Sequence, residues 1–134
     1  MEFSLSSVNI LAVIVSAIVG VFGLGGIWYN VFGELWNKEA NITKDMKRGH
    51  PAVVYLTSLL MGIIGALAFA ILLGIVATLG DSIRLSLVIG AGFVATSFAI
   101  NYSFGGRSIK LFAIDATYHI LQFLIYGVII GLWR

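Results

Sequence analysis

Long apolar stretches separated by short polar connections run through the whole chain. Four such stretches occupy residues 8–29, 52–79, 83–104 and 108–133. Each is long enough for a bilayer-spanning helix, which needs about 20 residues. The pattern predicts an all-α membrane protein, with four transmembrane helices in a compact bundle and short loops, as a single integral membrane domain over residues 1–134. We interpret the first stretch as a retained span, because no basic segment precedes it as in a signal peptide.

Composition strengthens the membrane assignment and excludes several classes of function. Of the 134 residues, 60% are hydrophobic and 10% are charged, whereas soluble domains are about 25% charged. The expected partner is therefore the lipid bilayer. A net charge of +2 is too small to suggest nucleic acid, and the absence of cysteine excludes disulfides and cysteine-ligated metals.

An aromatic segment follows the first predicted helix. Its aromatic residues recur at helical spacing and are Trp28, Tyr29, Phe32 and Trp36. Two interpretations stay open. We favour an interfacial belt that anchors the chain at the membrane surface, and the alternative is a docking or gating element.

The fourth predicted helix carries a polar stripe. Its members share one face, within an arc of about 100° around the helix, and are Asp115, Tyr118, His119, Gln122 and Tyr126. A carboxylate at the bilayer centre costs about 2.5–3.5 kcal/mol, so this face must meet protein or water. Asp115 and His119 are four residues apart, within reach of a hydrogen bond or ion pair. On the third helix, one predicted face carries Ser86, Gly90, Ser97 and Asn101, and we expect Asn101 to neighbour Asp115.

The polar stripe allows a binding or proton-relay site, or only hydrogen bonds that hold helices together. The candidate site residues are Asp115, His119, Asn101, Tyr118, Gln122 and Tyr126. One histidine and one carboxylate fall short of the three or four protein ligands that zinc requires. We therefore predict no metal, no cofactor and no catalytic residues, and an enzyme is the least favoured class.

The second predicted helix carries an every-fourth-residue row of small side chains: Ser58, Gly62, Ala66, Ala70 and Gly74. Such rows let helix backbones approach closely in lipid. The row fits packing inside the chain or between copies, and we expect a homo-oligomer through it.

The basic residues predict the orientation in the membrane. Six of the eight lysines and arginines lie in or beside loops 30–51 and 104–108, and the other two are Arg84 and Arg134. By the positive-inside rule these loops are cytoplasmic and both termini lie outside. We expect a bacterial inner (plasma) membrane.

The ends of the first and third spans are weakly alike. The first ends Trp28-Tyr29-Asn30-Val31-Phe32-Gly33 and the third ends Asn101-Tyr102-Ser103-Phe104-Gly105. This similarity suggests two helix pairs in the same orientation, although interfacial composition alone also explains it.

A family resemblance rests on several of these motifs. The run Gly26-x-Trp28-Tyr29-x-x-Phe32-Gly33-x-x-Trp36 and the run Asp115-Ala116-x-Tyr118-His119, followed by Gly127 and Gly131-Leu132-Trp133, carry it. Together they resemble the small four-helix membrane proteins labelled domain of unknown function 1761. The resemblance implies the fold and topology, and it implies no activity.

Two functions remain open from the sequence. The leading hypothesis is a small homo-oligomeric transporter or channel for a small polar solute, ion or proton, with Asp115 and His119 at its site. The alternative is a membrane protein that transports nothing and binds a lipid, a quinone-like ligand or a partner subunit. In that case the aromatic segment forms the docking surface.

Overall fold

The structure, a computed structural model, describes residues 5–74 and 78–133. A short 3-10 helix, Leu5–Ser7, precedes four long helices: α1 (Ile10–Glu39), α2 (Pro51–Leu73), α3 (Leu79–Phe104) and α4 (Ile109–Leu132). All four are long and apolar enough to cross a membrane, and the described residues contain no strand. The predicted fold class is confirmed, and the chain is an integral membrane protein.

Side-chain caps fix where all four helices begin, and at α2 the cap is His50, whose Nδ1 accepts a hydrogen bond from the backbone N–H of Ala52. Asn9 accepts a hydrogen bond from the backbone N–H of Ala12, and Ser108 accepts one from that of Leu111. Thr78 forms a capping box with Asp81. Each cap satisfies a backbone N–H that the first helical turn leaves free.

Two boundaries differ from the prediction. The capping box starts α3 at Leu79, so residues 80–82, which the prediction placed between the second and third spans, are helical. Helix α2 ends at Leu73, followed by Gly74 at a φ of 66°. The predicted end of that span at residue 79 is therefore wrong. Residues 75–77, which the prediction included, lie outside the described residues.

Helix α1 is longer than predicted. It continues through the aromatic segment to Glu39, for 30 residues or about 45 Å. It is interrupted by a π-helical stretch, Val19–Leu24, and α3 contains a second one, Val88–Ala95. A π turn holds an extra residue, which rotates all later side chains by about 100° around the helix.

Helix α4 lies at the centre, packed mainly on α1 and α3. The contact between α3 and α4 is close because small residues face each other. Ser82 Oγ donates a hydrogen bond of 2.7 Å to the Gly127 carbonyl. A methyl group added at Gly127 would overlap Ser86 Oγ, and one at Gly131 would lie 2.9 Å from Ser82 Oγ. Close approach of this kind drives helix association in lipid.

The small-residue row of α2 packs largely against other helices of the same chain. Its middle members, Gly62, Ala66 and Ala70, are buried. A methyl group added at Gly62 would lie 2.6 Å from Val21 on α1. Ser58 and Gly74, at the two ends, are exposed. These three buried residues are therefore not free for a subunit interface, and the homo-oligomer itself stays a prediction.

The buried apolar core fills only one half of the bundle. It joins the first half of α1 to the second halves of α2 and α4, and its largest members are Phe69, Tyr126 and Val13. In the other half, residues 51–58 of α2 are all exposed. Beside this exposed part of α2, a groove remains between α1, α2 and α4.

Candidate functional site

The groove has a volume of about 950 Å³. Most of its surface is apolar, and its polar side chains come from α1, α2 and α4. The α4 residues that line it are Tyr118, His119, Gln122, Phe123 and Tyr126. Ligand pockets commonly have this size and character, with apolar walls and a few polar groups. The structure thus brings four of the six predicted site residues to one cavity.

A continuous chain of hydrogen bonds follows the groove floor. His119 Nδ1 lies 2.9 Å from Gln122 Oε1, and Gln122 Nε2 donates to the Tyr126 hydroxyl at 2.6 Å. The Tyr126 hydroxyl in turn donates to the backbone carbonyl of Gly62 on α2, at 3.1 Å. Phe98 of α3 stacks on the His119 ring with centroids 5.1 Å apart. The floor is therefore held in place from α2, α3 and α4.

Tyr118 joins the floor to α1. Its hydroxyl donates a hydrogen bond of 3.2 Å to the Gly20 carbonyl, inside the first π-helical stretch. A methyl group added at Gly20 would lie 3.1 Å from both Gln122 and Tyr126. The groove floor packs against α1 at this glycine because there is no side chain in the way.

Asp115 forms a separate cluster with donors from two other helices. Its Oδ1 accepts hydrogen bonds of 2.9 Å from the Tyr29 hydroxyl and from Trp36 Nε1, both on α1. Its Oδ2 accepts one of 2.5 Å from the Tyr102 hydroxyl on α3. An indole N–H only donates, so Oδ1 acts as the acceptor. The cluster buries a carboxylate without a basic partner within ion-pair distance in the described residues.

The aromatic segment turns one side toward α4. Trp28 Nε1 donates to the Ile114 carbonyl at 3.1 Å, beside the Asp115 cluster. The Trp28 ring packs on Phe32 with centroids 4.7 Å apart. Neither the belt nor the docking interpretation anticipated this role. Ile27 and Val31, each 69% exposed, cover the lipid side of the same segment.

Two predicted contacts are wrong. Asp115 and His119 do not bond to each other, since His119 turns to Gln122 and Asp115 to aromatic donors. Asn101 is exposed, and the next residue, Tyr102, reaches Asp115 in its place. The second π-helical stretch contains Gly90, which is buried, and precedes Asn101. The extra residue per turn rotates Asn101 off the inner face.

Sequence reasoning missed Tyr102 and Phe98 as members of the site. The similar endings of the first and third spans contained one usable signal. Tyr29 and Tyr102 occupy matching positions in the two endings, and both hydroxyls donate a hydrogen bond to Asp115. Phe98 had no such signal. Within the described residues, no group of three metal-binding side chains lies together.

We predict that Asp115→Leu lowers the free energy of unfolding by at least about 1–3 kcal/mol, because it leaves three donors without an acceptor. Tyr102→Phe should cost less, about 0.5–1.5 kcal/mol. The double variant should lose less free energy of unfolding than the sum of the losses in the two single variants. The measurement is equilibrium unfolding in mixed detergent micelles. Tyr55→Phe is the control, because Tyr55 is exposed, and a loss in that control equal to that of Asp115→Leu would contradict the prediction.

Comparison with known proteins gives a family and no activity. A search of curated proteins and a search of solved structures found no match. A family model described as "Protein of unknown function (DUF1761)" matches residues 11–131. The match covers all four helices nearly completely, so the chain belongs to this family, as its motifs suggested.

Proposed function

We propose that the protein binds an amphipathic small molecule in the groove, with a polar ring as its headgroup and an apolar tail, as in a quinone-like compound. The observation that carries the proposal is an apolar groove with a hydrogen-bonding floor, next to an exposed half-helix of α2. Such a molecule would place its ring over His119 and Gln122. Its tail would leave between α1 and α2.

The surroundings of the groove favour a ligand taken from the bilayer. The lining residues Val54, Tyr55 and Met61 are 48–61% exposed, so the same side chains meet both the groove and the lipid. Phe22 and Tyr55 contact each other at the entrance, with ring centroids 6.1 Å apart. A tail between them exchanges one apolar environment for another, so binding energy must come largely from the ring and the floor.

We predict that Gly26→Trp abolishes binding of para-heptylphenol or weakens it about tenfold or more, a loss of about 1.4 kcal/mol. Gly26 lines the groove, and a side chain built there meets nothing within 4 Å of its first carbon, so the indole can occupy the cavity. Gly33→Trp is the matched control, because Gly33 has equal space and does not line the groove. Binding is measured by equilibrium dialysis in detergent. Equal loss in both variants, or no binding by the parent protein, would refute the proposal.

Transport by a homo-oligomer, for which a proton is the simplest cargo, is the second candidate. It is favoured by the chain of polar groups from His119 to Tyr126 within a membrane helix. It ranks second because that chain ends on the Gly62 carbonyl and makes no hydrogen bond to the Asp115 cluster. If transport is the function, Asp115→Asn and His119→Ala should reduce proton flux in proteoliposomes, read by an internal pH dye, by about tenfold or more. Flux equal to the parent in both variants would count against it.

We also propose that the residue 40–50 connection faces the cytoplasm of a bacterial cell, with both termini outside its inner membrane. The six basic residues at that end support this orientation. The chain has no cysteine, so a single Lys44→Cys substitution gives one labelling site. It should resist a membrane-impermeant maleimide in intact cells and react after lysis. Reaction in intact cells would reverse the orientation.

A further inference from the structure

The hydrogen-bond chain on the groove floor has only one possible direction. It ends at the Gly62 carbonyl, which only accepts, so the Tyr126 hydroxyl must donate there. The Tyr126 oxygen therefore accepts from the amide nitrogen of Gln122, which leaves Gln122 Oε1 facing His119. An amide oxygen also only accepts, so His119 Nδ1 must carry a proton.

The other ring nitrogen of His119 is open to the groove. His119 lines the cavity, and its Nε2 makes no hydrogen bond to any described residue. No buried side-chain nitrogen or oxygen among the described residues lacks a partner. Nε2 is therefore accessible, and in the neutral ring it holds a lone pair, because the single ring proton is on Nδ1.

We infer that the groove selects a headgroup that donates a hydrogen bond to His119 Nε2, such as a phenol or a quinol, over the matching ether or quinone. This inference rests on the proposed function for its ligand. A ligand oxygen that only accepts would face the lone pair of Nε2 and leave it unpaired. Sites that hydrogen-bond a ligand hydroxyl discriminate strongly against analogues without it.

Gln122 is a positioning residue for this selection. It does not itself determine the ligand's headgroup, and it acts by holding the proton on Nδ1 of His119. Without the amide oxygen, the imidazole is free to move the proton to Nε2 and would then present a donor to the groove. The loss of Gln122 should therefore change the sign of the preference or erase it, while leaving His119 in place.

The other histidine of the chain provides an internal comparison. His50 accepts a hydrogen bond at Nδ1 from the backbone N–H of Ala52, so its proton must be on Nε2 in the neutral ring. The two histidines should thus be opposite tautomers in the same sample. The sequence contains two histidines, so a His50→Asn variant assigns the signals.

The first test is nitrogen-15 NMR of histidine-labelled protein in micelles at about pH 8, where an ordinary histidine is neutral. Couplings between ring nitrogens and ring protons identify which nitrogen is protonated. We expect His119 protonated at Nδ1 and His50 at Nε2, with Gln122→Leu moving His119 toward Nε2. A His119 ring protonated at Nε2 in the parent protein would overturn the inference whether or not any ligand binds.

The second test compares para-heptylphenol with para-heptylanisole, its methyl ether, at the same pH. We expect the parent protein to bind the phenol at least about tenfold more tightly than the anisole. His119→Ala should lose this preference and Gln122→Leu should lose or reverse it, with thermal unfolding confirming that both variants are folded. Equal binding of the two probes to the parent would overturn the donor preference while leaving the groove proposal intact. Binding of neither probe would instead refute the proposed function, and the NMR result would still decide the tautomer.

Discussion

A buried carboxylate that needs hydrogen-bond donors holds three of the four helices in register. Helices in lipid gain little from apolar contact with each other, so polar contacts and close backbone packing decide which faces meet. Asp115 on α4 takes its donors from Tyr29 and Trp36 on α1 and from Tyr102 on α3. This requirement explains why the aromatic end of α1 stays helical and turns inward, where hydropathy alone would place it on the surface.

Close packing at glycine holds one end of the bundle together, and hydrogen bonds to Asp115 hold the other. The groove lies beside the part of α2 that takes part in neither. Toward the end of α4, Gly127 and Gly131 let the backbone of α3 approach closely. At its beginning, Asp115 gathers the aromatic donors. The first half of α2 has no small-residue contact of the first kind and no donor to the carboxylate in the described residues. It therefore stands apart, and a cavity of about 950 Å³ opens beneath it.

Sequence patterns located the four spans and the polar stripe because hydropathy and a period of 3.6 residues are local properties. They misplaced the partners because each π-helical stretch shifts that period. In α3 the predicted face holds through Gly90 and then moves by one position, which turns the half-buried Tyr102 inward and exposes Asn101. The sequence also could not show whether His119 bonds to Asp115 or to Gln122, because residues three and four positions apart are both neighbours on a helix.

The direction of the hydrogen bonds along the groove floor is determined by the position of α2, although α2 contributes no polar side chain to them. The carbonyl of Gly62 fixes the Tyr126 proton, which fixes the Gln122 amide and, through it, the proton on His119. Gly62 can hold that place only because it has no side chain to strike Val21. A larger residue would push α2 away and remove the acceptor that orients the chain. Packing between two helices thereby determines which hydrogen-bonding group the histidine offers to the groove.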